Sequence, residues 1–177
     1  MTYTQHYDSP LGGILLAADD VGLTGLWFDG QKYFARGLSN ERIEQETSVL
    51  AEAKCWLDIY FTGKEPDFTP PLHPIGSAFR RSVWEILLQI PYGQTTTYGE
   101  IARQLSKKQG LERMSAQAVG GAVGHNEISI IIPCHRVVGA DGSLTGYAGG
   151  IGKKEKLLEL ERADMSRFFV PKKGTAL

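Results

Sequence analysis

Ile130-Ile131-Ile132-Pro133-Cys134-His135-Arg136-Val137 decides how the rest of the 177-residue chain is read. The apolar run is too short for a membrane span and has the length of a buried strand. Pro133 has a fixed φ and no N–H, so ladder pairing is disfavoured beyond it, and the thiol is expected where a strand opens into a site. Two readings of Cys134 compete. A free Cys is often an inert, buried small hydrophobe; beside a His it is also a potential nucleophile with a potential base. Adjacency alone does not decide, because neighbouring side chains on an extended segment point to opposite faces.

The rest of the composition narrows the choice. A hydrophobic content of 42% over 177 residues supports one medium domain or two small ones. There is no apolar run of roughly 18 residues and no basic-then-apolar leader at Met1-Thr-Tyr-Thr-Gln, so neither membrane insertion nor secretion is expected, and a cytoplasmic location is. Two cysteines, Cys55 and Cys134, are too few for a disulfide framework. Charge is divided unevenly. Residues 1–75 hold five Lys/Arg against eleven Asp/Glu, whereas residues 76–177 hold fourteen against nine, a surplus of five. Only the second part is suited to a polyanion, although a solvated surface has the same signature.

Residues 1–30 alternate apolar and polar positions between turn signals and predict three short strands in an antiparallel meander. Over 41–61, Val49, Leu50, Ala53, Trp56, Leu57 and Tyr60 recur at helical spacing. Cys55 lies off the centre of that stripe and reads as structural. Residues 62–76 hold four of the eight prolines and read as an extended connector. His6 and His73 have no partners at metal-binding spacing, so no zinc site is expected. A helix follows from Ser77 through Ile90, ended by Pro91-Tyr-Gly-Gln. Thr97-Tyr-Gly-Glu is a capping-box pattern opening a helix over Tyr98–Leu105. Ser115 caps the next, Ala116-Gln-Ala-Val-Gly-Gly-Ala-Val-Gly, giving the order helix, turn, helix. Gly120, Gly121 and Gly124 each cost about 1 kcal/mol relative to Ala in a helix interior. Either tight helix packing or close approach to a nucleic-acid backbone accounts for them, the latter with Ala118, Gly121 and Ala122 facing a groove.

Attack on carbon requires a thiolate, and a Cys with an ordinary pKa near 8.5 is only a few per cent ionised at neutral pH. His135 can take the proton directly or through water, provided a third group orients it. Glu155, Glu159 and Glu161 lie on a segment of helical spacing beginning at Lys153, and periodicity does not choose among them.

Asn126-Glu-Ile-Ser-Ile-Ile-Ile-Pro-Cys-His-Arg-Val-Val-Gly, followed by Gly142-Ser-Leu-Thr-Gly-Tyr-Ala-Gly-Gly, resembles the O6-alkylguanine-DNA alkyltransferases, the methylated-DNA–protein-cysteine methyltransferases. The likeness is specific over roughly 77–165 and looser before it. It implies that Cys134 accepts the alkyl group, that His135 is a base acting through water, and that Glu161 orients His135. It further implies that Asn126 is a hinge before the apolar run, and that Tyr98 crowds the phosphate and protonates the departing guanine. Tyr147, the N–H of Ala148 and the carbonyls of Cys134 and Val137 would form the base pocket, with Arg136 grouped beside them. Gln117 stands where the family usually has an Arg that enters the base stack, and Arg113 is a candidate to compensate. Because the lesion lies within the stack, the nucleotide must rotate out of the duplex. The thioether product is stable, so the protein is consumed in one turnover.

These readings converge on an α/β (α+β) protein. An N-terminal antiparallel β-sheet with a helix occupies 1–75, and a C-terminal helical, winged helix–turn–helix-type domain carrying the alkyl acceptor occupies 76–177. The expected function is DNA repair by alkyl transfer onto Cys134. The expected partner is double-stranded DNA containing O6-alkylguanine, with no cofactor, no metal, no membrane and a monomeric state. A lesion sensor or winged-helix module with a structural Cys134 is the main competitor; a thiol hydrolase or redox protein is a third class, which leaves the glycine-rich helix unexplained.

Overall fold

The computed structural model describes residues 1–110 and 114–171. Their contacts divide into two units, 1–75 with 127–131, and 76–126 with 132–171. No helix among the described residues is long and apolar enough to cross a membrane.

The first unit is built on the expected meander. β1 (Thr2–Ser9), β2 (Gly12–Ala18) and β3 (Leu23–Phe28) pair antiparallel in that order. A short strand that the sequence did not announce, β4 (Arg42–Glu44), adds in parallel at the free edge of β1, giving the order β3-β2-β1-β4. Helix α1 therefore spans Ser48–Tyr60, not the whole of 41–61, and starts where the Thr47 side chain accepts the Leu50 N–H. Its buried residues Leu50, Ala53, Trp56, Leu57 and Tyr60 follow the expected stripe, while Cys55 is exposed. The proline-rich connector runs along β3: Leu23 N–H donates to Pro71 O and His73 N–H donates to Leu23 O, each at 2.8 Å.

The expected strand over 130–132 does not form. Leu26 N–H donates to Glu127 O at 2.8 Å, Ser129 N–H donates to Leu26 O at 3.0 Å, and pairing with β3 stops at that single bridge. Ile130 then turns the chain with φ 69°, a left-handed conformation rare for a β-branched residue, and is fully buried.

The second unit is helical. α2 (Ala78–Leu87) is capped by Ser77, α3 (Tyr98–Gln109) by Thr97 and α4 (Ala116–Gly124) by Ser115, each cap accepting backbone N–H groups of its helix's first turn. The capping box at α3 is only half made, since the Glu100 carboxylate pairs with Arg103. α3 also runs a turn past the expected Leu105, to a left-handed Gly110. The Ala122 carbonyl, one of the last four of α4 and so without an intrahelical partner, accepts the Trp84 Nε1–H at 2.9 Å and fastens α4 to α2. Cys134–Arg136 form one 3₁₀ turn, followed by β6 (Val137–Val138), which pairs in parallel with β5 (Thr96–Thr97). α5 (Ile151–Leu160) closes the unit.

Candidate active site

Cys134 is buried at the start of the 3₁₀ turn, its N–H donating to Ile132 O at 2.8 Å. Burial pushes the thiol pKa up, while a hydrogen bond with the Asn126 side chain and the charge of Lys154 pull it down. Asn126 is itself fixed, its Nδ2 donating to Ile132 O at 2.8 Å. Asn126 thus bonds the thiol, while Ile132 O holds both the Asn126 side chain and the Cys134 main chain.

Behind the thiol lies a closed polar network. His135 is 0% exposed and its Nε2 meets Glu161 Oε2 at 2.6 Å. Glu161, 2% exposed, follows the last residue of α5. Arg136 reaches the same carboxylate with Nε to Oε1 at 2.8 Å and Nη2 to Oε2 at 3.1 Å, and donates Nη1 to Ile90 O at 2.7 Å. Gly93, at φ 76°, completes it with an N–H to Glu161 Oε1 at 3.1 Å. Burial alone would raise the Glu161 carboxyl, but hydrogen bonds and charge from His135 and Arg136 outweigh it and hold the group well below the usual carboxylate range. For His135, burial dominates and lowers the imidazole pKa; Glu161 opposes this, and the charges of Arg136 and Lys154 add to it. A neutral imidazole donates Nε2–H to the carboxylate, which leaves Nδ1 as an acceptor. Nδ1 has no hydrogen-bond partner among the described residues. The arrangement can take a proton at Nδ1 and stabilise the resulting charge through Glu161.

The opposite wall carries Tyr98 and Lys154. Tyr98 OH donates to Thr145 O at 3.2 Å, and the Lys154 ammonium donates to the same carbonyl at 2.6 Å. Burial raises the Tyr98 phenol, and the charge of Cys134 adds to that, so the group is an O–H donor at neutral pH. Lys154 is 1% exposed, and desolvation lowers its pKa to about 8. Sequence reasoning missed it. The signal was present as a lysine on the buried stripe Ile151, Lys154, Leu157, Leu158 of α5.

The fold brings Cys134, His135, Glu161, Asn126 and Tyr98 into one cluster, and of the three glutamates it is the buried Glu161 that meets His135, while Glu155 is half-buried and Glu159 exposed. Tyr147 is buried with its ring edge-on to His135, centroids 6.5 Å apart; Ala148 beside it is half-buried. Val137 is buried, and its N–H donates to Cys134 O. Two expectations need correction. Arg136 does not face a substrate, because its guanidinium is spent on Glu161 and Ile90. Ala122 does not face a groove, because it is 2% exposed and turned toward α2. The outward face of α4 is Gln117, Ala118 and Gly121. A Cβ built at Gly121 or Gly124 would meet nothing within 4 Å, and at Gly120 only Tyr98 Cδ1 at 3.9 Å. Packing within the protein therefore does not demand these glycines. Arg113 lies outside the described residues. Among the described residues no three Cys, His, Asp or Glu side chains converge to hold a metal ion.

Fold and site together define a mixed α/β protein, with an N-terminal sheet and a helical second unit that carries a buried thiol and a histidine–carboxylate pair. The chain belongs to the 6-O-methylguanine DNA methyltransferase family: that family's DNA-binding-domain model matches residues 78–163, and its ribonuclease-like-domain model matches 2–74. It is 44% identical over 160 residues to the methylated-DNA–protein-cysteine methyltransferase of Methanosarcina acetivorans, covering 90% of this chain and 97% of that protein. The Mycobacterium leprae protein of the same name is 43% identical over 92% of this chain and 93% of its own length. Among solved structures, a Mycobacterium tuberculosis OGT in complex with DNA superposes with a TM-score of 0.77 at 42% identity, covering 94% of each chain.

Proposed function

We propose that this chain repairs DNA by moving the alkyl group of O6-alkylguanine in double-stranded DNA directly onto Cys134, in a single turnover. The observation that carries the reading is the relay behind the thiol: a neutral His135 held by Glu161 at Nε2, its Nδ1 available as the acceptor. In the proposed step, His135 takes the Cys134 proton through water, and the thiolate sulfur bonds to the alkyl carbon as the carbon–O6 bond breaks. The guanine leaves with the electron pair and is protonated by Tyr98. Asn126 holds the thiolate, and Lys154 supplies a positive charge for it. Tyr147, the Ala148 N–H and the carbonyls at Cys134 and Val137 receive the flipped base. Cys134 O keeps a second lone pair for this, one being taken by Val137 N–H.

In the same reading Gln117, Ala118 and Gly121 on α4 approach the duplex, and Gln117 fills the place of the extruded nucleotide. It can hydrogen-bond the orphaned base but lacks the charge and planar fork of an Arg. Residues 76–177 form the DNA-binding and alkyl-acceptor domain and residues 1–75 a β-rich partner domain, in a monomeric, cytoplasmic protein. The test is the loss of O6-methylguanine from a duplex oligonucleotide held in excess. The expected result is a burst equal to the amount of protein and then no further repair, with none by Cys134→Ser; continuing turnover, or repair by that variant, overturns the proposal.

A further inference from the structure

The short segment 127–131 belongs with the first unit, yet the residues that bracket it, Asn126 and Ile132, are the two that hold Cys134. Three observations tie the segment down. Main-chain bonds join Leu26 N–H to Glu127 O and Ser129 N–H to Leu26 O. The Trp27 Nε1–H donates to Glu127 Oε2 at 2.5 Å, joining side chains 100 residues apart. Ile130 is kept in a left-handed conformation while fully buried, a state that persists only where the surroundings over-determine it. Ile132 O collects both the Asn126 Nδ2 and the Cys134 N–H, so a change in where the segment ends is passed to the Cys134 main chain and to the Asn126 side chain that bonds the thiol.

Resting on the alkyl-transfer reading, we propose that Trp27 and Glu127 are positioning residues for that reaction: they lock the 127–131 segment on β3 and thereby fix the Asn126 and Ile132 that hold the acceptor. The indole ring of Trp27 is core, so Trp27→Phe deletes the N–H together with part of a buried ring, and Glu127→Ala, which leaves the ring in place, is the cleaner probe of the bond. Glu127→Gln keeps an acceptor for the indole, and Glu127→Ala removes it.

Single-turnover transfer from methylated duplex is measured for each variant, together with duplex affinity and, without DNA, iodoacetamide labelling of Cys134 read by peptide mass against the exposed Cys55. Trp27→Phe and Glu127→Ala are each expected to slow transfer and Cys134 labelling by about tenfold, the scale on which small misplacements cost rate. Duplex affinity and Cys55 labelling stay unchanged, Glu127→Gln stays close to the natural protein, and the double variant is no slower than either single one. Natural rates in both variants, with the natural protein active, overturn this proposal and leave the reading intact, as does a loss that vanishes at equal folded fraction. If the natural protein transfers nothing, the reading fails, and unchanged labelling of Cys134 across the variants overturns the proposal as well.

Discussion

The network behind Cys134 and the outward face of α4 both depart from ordinary helical composition, the first polar where a core is apolar and the second glycine-bearing where better helix formers are preferred, for opposite reasons. Around Glu161 every identity is dictated from inside: one carboxylate accepts from His135, Arg136 and Gly93, and each donor is held in turn. At Gly121, on the exposed face of α4, nothing inside the protein dictates the glycine, since a Cβ there meets open space. Residues fixed from within answer to folding and chemistry together, whereas residues unconstrained from within and costly in helix propensity answer to something outside. The two regions should therefore respond differently to substitution.

Glu161→Ala is expected to have the largest effect. It leaves Arg136 buried without its counter-ion, and removing one partner of such a pair costs about 3–5 kcal/mol. Denaturant unfolding should show that loss, and transfer should disappear; a stable, active variant would sink the account of the network. Acid tests the same region. His135 has a pKa lowered from its ordinary 6.5 and Glu161 one lowered from 4.5, so both bind fewer protons folded than unfolded. Their contribution is full above the unfolded values and is lost as pH falls, first below 6.5 and then below 4.5. Thermal melts should decline in those two stages, and Glu161→Gln should flatten the lower one.

Lys154→Met should separate chemistry from stability. Removing the buried positive charge is expected to raise the Cys134 pKa, because the Lys154 charge now pulls it down, and the transfer rate at neutral pH should fall by about tenfold or more. Stability should change little, because the buried ammonium is itself disfavoured by desolvation. Ultraviolet thiolate titration beside melting would read both; an unmoved titration contradicts the assignment. On α4 the signs reverse. Gly121→Ala should stabilise the fold by up to about 1 kcal/mol, since the added methyl has room in the protein, while weakening duplex binding if α4 docks on DNA as proposed. Equal affinity in the variant would return the glycines to chance. Gln117→Arg is the smallest change: tighter binding with a salt dependence steeper by about one released counter-ion, measured by titration at several ionic strengths.

What could be read in the sequence was local. Thr97 and Ser115 cap their helices where expected, because a cap is decided within three residues. The meander of β1 to β3 followed from alternation and turn residues. The failures share a cause in long-range pairing. Arg42–Glu44 became a strand only because β1 had a free edge, and Ile130–Ile132 failed to become one because β3 offers a single bridge at Ile128 before Ile130 turns left-handed. At the site, Cys134 and His135 stood out as a candidate nucleophile and base, but Glu161 was singled out only through family resemblance, since three glutamates shared one helical stretch. Lys154 was overlooked because a lysine among lysines reads as solvent-facing, although its place on the stripe with Ile151 and Leu157 marked it as buried.

The central claim is that Cys134 itself receives the alkyl group. Intact-protein mass, measured after incubation with duplex DNA carrying O6-methylguanine, tests it most directly. The expected result is one methyl increment on the natural chain, mapped to the Cys134 peptide, and none on Cys134→Ser. An increment that survives in Cys134→Ser, or its absence from a natural protein that still selects the lesion, would contradict the account.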